Sequence, residues 1–330
     1  MLSKINNHFE SNFKLWKYLS FLLLLLILFP RFNQQNLGPV KKLVGNKGHL
    51  GEYSYDVNSY ISNVKYFRTH DSNDENLVPP FTYRVLPTYI ASTLPFNEIT
   101  SINIINLFFH FIALILIDLI LLKLNFSPGS ISLSRLLYIF SFPVFYFGTS
   151  GHVDPAIIMF LFSGIYFTLQ KQFYFLVLIT FFGALSKESM ILILPFYLFQ
   201  NRLDSKSLIK TIILSASFLV GTYLSRQIIP VDDSFLWKIE EETLQMNLAR
   251  SRTYLSFILA YGHFFLLILL TMFFKKNIKD MKAFYISSFL GVCTFIYAIF
   301  AAYPDARFLW LAYPFSLPII ASLFHSNNEG

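Results

Sequence analysis

Ten apolar runs, each about the length of a bilayer crossing or somewhat shorter, recur between Leu15 and Phe324 and leave little polar sequence between them. A membrane-spanning helix needs ~20 mostly apolar residues, within a range of ~17–25. The runs are Leu15–Phe29, Ser101–Leu122, Ile131–Phe147, Pro155–Leu169, Phe173–Leu185, Met190–Phe199, Lys210–Ile229, Thr253–Phe274, Ala283–Ala302 and Phe308–Phe324. Only 14% of residues are charged, against ~25% in a soluble domain. A water-facing globular surface, a disordered tail and a coiled coil are therefore excluded. The expectation is an all-α, polytopic membrane protein of about ten helices, forming one domain over residues 1–330.

The first run follows Lys4, Lys14 and Lys17, as a signal peptide would, but Phe29-Pro30-Arg31-Phe32 stands where small residues are needed for cleavage. It reads as an uncleaved anchor. The fifth and sixth runs are too short to cross alone as straight helices. They read either as half-helices meeting at Ser186-Lys187-Glu188-Ser189 or as tilted helices continuing into their flanks.

The net charge of +7 invites a nucleic-acid partner, and its distribution argues against one. Lys and Arg in short loops favour the cytoplasm. With both termini cytoplasmic, the inner loops carry Lys123 and Arg135, then Lys171, then Arg202, Lys206 and Lys210, then Lys275, Lys276, Lys279 and Lys282. Outer loops are 148–154, 186–189, 230–252 and 303–307; the third holds five acids against three bases. Merging 173–200 into one crossing would reverse everything downstream and strand Lys187 and Glu188 in mid-membrane. The positive charge is thus mostly an orientation signal.

Residues 31–100 form the first outer loop. Tyr53, Val57, Tyr60, Ile61, Val64 and Phe67 follow helical spacing, which predicts an amphipathic helix over Glu52–Arg68 on the membrane surface. After the polar stretch 71–76, Pro79-Pro80 opens a second interfacial piece, Phe81–Leu94, interrupted by Pro87. Cys293, the single cysteine, sits in an apolar run and is expected to pack inertly.

Once the orientation signals are removed, Asp56, Arg84, His152, Asp154, Lys187, Glu188, Asp305 and Arg307 remain on the outer side, drawn from five distant segments. Ionisable groups at a membrane boundary are costly to bury and often mark a site. Each also has a plainer reading. Asp154 before Pro155, and Asp305, fit helix N-caps. Glu188 suits a first helical turn. Lys187 and Arg307 sit beside helix N-termini, where a cation is disfavoured, so an anion is expected there. That anion is either the neighbouring Glu188 and Asp305 or a bound phosphate. Arg84 fits snorkelling to headgroups, Asp56 fits a cap for a helix starting at Val57, and His152 fits an ordinary loop histidine. Within the crossings, Asp118 reads as a partner of Lys123, with a proton relay through His110 as the alternative. No grouping has metal-ligand spacing, and a divalent metal is unsupported by the sequence.

Phe181-Phe182-Gly183-Ala184-Leu185-Ser186-Lys187-Glu188-Ser189, running into Leu194-Pro195-Phe196-Tyr197, resembles the Gly-x-x-x-Leu-Thr/Ser-Lys pattern of the GT-C superfamily of polytopic glycosyltransferases. The resemblance is to its protein O-mannosyltransferase-like branch. Gly151-His152-Val153-Asp154-Pro155 resembles a second recurring loop. Asp56, with Tyr60, lies where that family carries its acidic catalytic residue. The family often shows two near-adjacent acids there; here the nearest second acid is Glu52, one turn earlier.

The resemblance implies a polyprenyl-phosphate-linked sugar donor, used outside the cytoplasm with inversion, and a glycan, lipid or protein acceptor. It implies Asp56 as general base with Glu52 as substitute, and Arg84, Lys187 and Arg307 at the donor phosphate. Tyr60, His152, Asp154, Glu188 and Asp305 would support them, and Tyr53, Tyr55 and Tyr60 would stack on sugars. A lipid-linked glycan polymerase or ligase needs the same groups. A carrier or flippase would place charge at mid-membrane and often shows an internal repeat, and no repeat is evident.

Overall fold

The computed structural model describes residues 9, 11–32, 54–201, 204–231, 238–274 and 281–324. Lys4, Glu52, Tyr53, Arg202, Lys275, Lys276 and Lys279 fall outside these. All regular structure among the described residues is helical. The helices are α1 Phe13–Leu28, α2 Tyr55–Thr69, α3 Val85–Ser92, α4 Glu98–Lys123, α5 Pro128–Ile139, α6 Phe142–Phe147, α7 Asp154–Leu169, α8 Phe173–Ser186, α9 Ile193–Gln200, α10 Ser205–Ile228, α11 Glu241–Ala249, α12 Ser251–Phe273, α13 Lys282–Ala301, α14 Ala306–Trp310 and α15 Tyr313–Phe324. Helix α12 contains a π-helical stretch at Ile258–Gly262. Short 3-10 segments stand at Phe29–Arg31, Phe81–Tyr83 and Glu188–Leu192.

Among the described residues, four helices, α4, α10, α12 and α13, are long and apolar enough to cross a membrane. Local chemistry starts several of the helices. Asn97 accepts from the Thr100 amide at the head of α4, whose first turn carries Glu98 and whose last carries Lys123, both favourable to the helix dipole. Ser127 caps α5 with Pro128 behind it, and Asp204 accepts from the Ser207 amide at the head of α10.

The long and the short helices bury differently. Helix α15 is buried from Tyr313 to Leu323 and α7 from Asp154 to Ile165, so both are apolar on every face and lie in the interior. Helices α10 and α12 turn Ile209, Ile212, Leu219, Leu255, Ile258 and Leu266 outward. An apolar surface of that extent suits hydrocarbon, not water.

Several expectations are corrected. The run Ile131–Phe147 is two helices, α5 and α6, broken at Phe140-Ser141, and the run Phe308–Phe324 is likewise divided between α14 and α15. A proline stands second in α6 and second in α15, where its missing amide costs nothing. Chain 173–200 is interrupted, as one of its two readings had it: Lys187 is extended between α8 and the 3-10 turn. The first-loop helix begins at Tyr55, and its Val57, Tyr60 and Val64 are buried inside the protein. Pro87 does not interrupt α3 but lies in its first turn. Arg135 is not a loop cation: it is buried in α5. Asp118 pairs with Arg135 at 3.5 Å and Lys17 at 3.9 Å, not with Lys123. Cys293 is partly exposed on α13.

Candidate active site at the head of α7

The site is assembled by fixing α2 and its following loop against α3 and α4. Arg68, in the last turn of α2, donates to the carbonyls of Ser92, Leu94 and Phe96 and to Glu98 at 3.0 Å. Ser62 donates to Asp74 and Asn63 to the Phe81 carbonyl, which holds the returning chain against the same helix. These ties set Asp56, in the first turn of α2, and Arg84, at the head of α3, on one side of the bundle.

The loop before α7 is fixed by a glycine. Gly151 has φ +82°, and an added Cβ would collide with Ile99 and lie 2.6 Å from Val57. Both the left-handed backbone and the close approach require glycine. Its amide donates to Asn103, and Asn106 donates to the His152 carbonyl, so α4 grips this loop from below. His152 and Asp154 follow immediately.

At the centre lies Arg307. Its guanidinium reaches Asp56 at 2.6 Å, Asp305 at 2.6 Å and Asp154 at 3.8 Å, and packs over the Phe147 ring. The second oxygen of Asp154 accepts from Lys187 at 2.5 Å. Asp305 also accepts from the Arg307 amide as the cap of α14. Thus α2, the head of α7, the break after α8 and the head of α14 meet at one ion-pair network. Arg84 stands apart within it. It is only 6% exposed, makes no ion pair among the described residues, and its Nε is buried without a hydrogen-bond partner. Its guanidinium lies 5.5 Å from the centre of the Tyr60 ring and 5.3 Å from that of Phe81.

Burial disfavours the charged form of Asp56, but Arg307, His152 and Arg84 outweigh it and hold the carboxyl below its ordinary range. Burial, reinforced by Arg307, pushes the His152 imidazole down to about 4 against the pull of Asp56, Asp154 and Asp305. His152 is therefore neutral at pH 7, with its Nδ1 2.9 Å from the Ser150 hydroxyl.

The plainer readings fare unevenly. Asp305 caps α14 and pairs with Arg307, as its plainer reading had it. Asp154 makes no cap bond; its carboxylate turns to Lys187 and Arg307. Lys187 pairs with Asp154, not with Glu188, and Glu188 makes no ion pair among the described residues. Asp56 lies within α2 and caps nothing. Arg84 is buried and does not snorkel, and His152 is buried and not a surface loop residue. Tyr60 is fully buried under Arg84, so its ring is closed to a sugar, whereas Tyr55 is exposed. Sequence reasoning passed over Asn103, Asn106, Phe81 and Phe147. The two asparagines were findable, since polar residues three apart in an apolar helix share a face.

Three carboxylates around a cation, beside a buried arginine that makes no ion pair, can accept a proton and attract an anion within one small region. No group of three or more His, Cys, Asp or Glu among the described residues is arranged to hold a metal ion. No protein-family model, curated protein or solved structure matches the chain at a significant level.

Proposed function

We infer that the protein is a membrane glycosyltransferase of GT-C type, moving a sugar from a polyprenyl-phosphate-linked donor to an acceptor hydroxyl outside the cytoplasm, with inversion. In this reading the chain crosses the membrane about ten times, with its shorter helices filling the interior. The head of α7 faces outward. The observation that carries the reading is the meeting of Asp56, Arg84, Asp154, Lys187, Asp305 and Arg307, from five distant segments, at one end of the bundle.

The chemistry follows from those groups. The acceptor oxygen attacks the anomeric carbon while its proton passes to the Asp56 carboxylate. The bond from that carbon to the phosphate oxygen breaks, and its electron pair leaves with the polyprenyl phosphate. Arg84 and Lys187 stabilise the charge that gathers there. Arg307 begins committed to carboxylates, and in that state Asp56 is a weak base. A donor phosphate competes for the guanidinium, and as Arg307 turns to it Asp56 loses its closest cation and gains basicity.

Asp56→Asn tests this directly. The variant is expected to insert and fold normally while losing at least ~100-fold of transfer from labelled polyprenyl-phosphate sugars, the usual contribution of a general base. Transfer at the unaltered rate would refute the assignment.

A further inference from the structure

A second polar site lies at the other end of α7. Asp154 and Thr168 are separated by about 21 Å along the helix axis, at 1.5 Å per residue. There the tail of α7, the start of α8, the end of α9 and the first turns of α10 enclose a cavity of about 100 Å³, lined by Thr168, Lys171, Phe173, Tyr197, Asn201 and Lys210 among others.

Its wall combines two cations with aromatic surface. Lys210 holds its ammonium 5.2 Å from the centre of the Phe173 ring. Lys171 has φ +58°, closing the turn between α7 and α8. Tyr197 is buried but for a small fraction of its surface and lines the cavity, with the Asp204 carboxylate near enough to act on its phenol. The Asn201 amide donates to the Tyr197 carbonyl, which leaves its side-chain oxygen free to accept. Two ammonium groups and a phenol converging on one small cavity are donors seeking an anion.

The surroundings indicate where that anion comes from. Beside Lys210, α10 turns Ile209, Ile212 and Ile213 outward, and beside Phe173, α8 exposes Tyr174, Phe175 and Leu178. An apolar face thus begins one turn from the cations and continues along two adjoining helices. A free phosphate has no use for it, whereas a lipid fills both parts: headgroup in the cavity, acyl chains along α8 and α10. Basic pockets between helices at the membrane boundary bind anionic headgroups in this way.

We propose that this cavity is a binding site for an anionic phospholipid of the leaflet opposite the candidate active site, with Lys171 and Lys210 holding its phosphate. The proposal does not depend on the glycosyltransferase reading.

Native mass spectrometry of the full chain in detergent, offered equal phosphatidylglycerol and phosphatidylcholine, tests it. Wild-type protein should retain phosphatidylglycerol selectively, and Lys171→Gln with Lys210→Gln should cut that retention about tenfold. Both lysines are exposed, so the fold is expected to survive, and circular dichroism checks it. The control pair Lys123→Gln with Lys282→Gln, also exposed and outside the cavity, should retain lipid as wild type does. Equal loss in both pairs, or no loss in the first, overturns the site. Displacement of the lipid by millimolar inorganic phosphate would make it a free-phosphate site and overturn the lipid assignment.

Discussion

Helix α4 touches two buried ion-pair systems, and they are built on opposite principles. Near its tail, Asp118 meets Arg135 of α5 and Lys17 of α1, and Arg135 also donates to the Lys17 carbonyl and lies over the Phe21 ring. One acid and two bases, of which Lys17 reaches solvent, stitch the first helix to the bundle. Near its head, Asn103 and Asn106 hold the loop of His152, beside which three acids share Arg307 while Arg84 goes unpaired. The first arrangement gives its one acid two cations, at ion-pair distances of 3.5 and 3.9 Å that leave both Asp118 oxygens without a hydrogen bond. The second shares three acids between Arg307 and Lys187 and leaves Arg84 with no ion pair of its own, a third cation that no carboxylate contacts directly. Burial of charge is common to both, so burial by itself does not identify a site.

The largest expected effect separates the two by stability. Arg135→Gln leaves Asp118 buried with only the half-exposed Lys17 at 3.9 Å, and removing one partner of a buried pair costs about 3–5 kcal/mol. Removing both, in Asp118→Leu with Arg135→Met, should restore the thermal midpoint to near the wild-type value or above it. A double variant as unstable as the single one would mean that the pair does more than close the helix junction.

The next effect reads the other system through pH. His152 titrates at about 4 in the folded protein against 6.5 in the unfolded chain. Between those values the unfolded state holds a proton that the folded state lacks, so stability falls as the pH is lowered from about 6.5 to about 4. The loss is about 3 kcal/mol at most. Asp56, with its carboxyl lowered from 3.8, adds stability above that value that disappears below it, in a separate window. Unfolding followed across pH 4–7 should show the slope, and His152→Gln should flatten it. A slope that survives in that variant would place the titrating group elsewhere.

Much of this was legible in advance, and the failures have physical reasons. Which charges are unusual could be read by subtracting the loop lysines and arginines, because burying a charge in an apolar chain is costly wherever it occurs. Which acid meets which base could not. Lys187 has Glu188 beside it in sequence but finds Asp154, 33 residues away, because its extended backbone directs it across to the head of α7. Arg135 looks like an orientation signal in the sequence because a loop cation and a buried one are alike until α1 packs on α5. The breaks before α6 and α15 were marked by Phe142-Pro143 and Tyr313-Pro314. Proline is tolerated inside membrane helices, so the apolar runs masked the signal that the same pairing gives clearly at Asp154-Pro155.

The smallest energetic effect is also the one that divides the two systems most cleanly. Arg84 is a buried cation that no carboxylate contacts and that Asp56 and Asp154 attract only from further off, so a methionine of similar length should be accommodated without loss. Arg84→Met is expected to raise stability by ~1 kcal/mol, since the desolvation of a buried charge that no ion pair contacts outweighs its longer-range attraction to Asp56 and Asp154. The same substitution should weaken donor transfer at least ~10-fold, as a missing charge-assisted contact to phosphate would. Opposite signs in stability and activity are the mark of a group retained for a ligand. The corresponding change at the tail of α4, Arg135→Met alone, must lower stability, because Asp118 is left behind. Should Arg84→Met also destabilise the protein, with transfer unchanged, the contrast between the two systems collapses and Arg84 becomes one more packing residue against Tyr60 and Phe81.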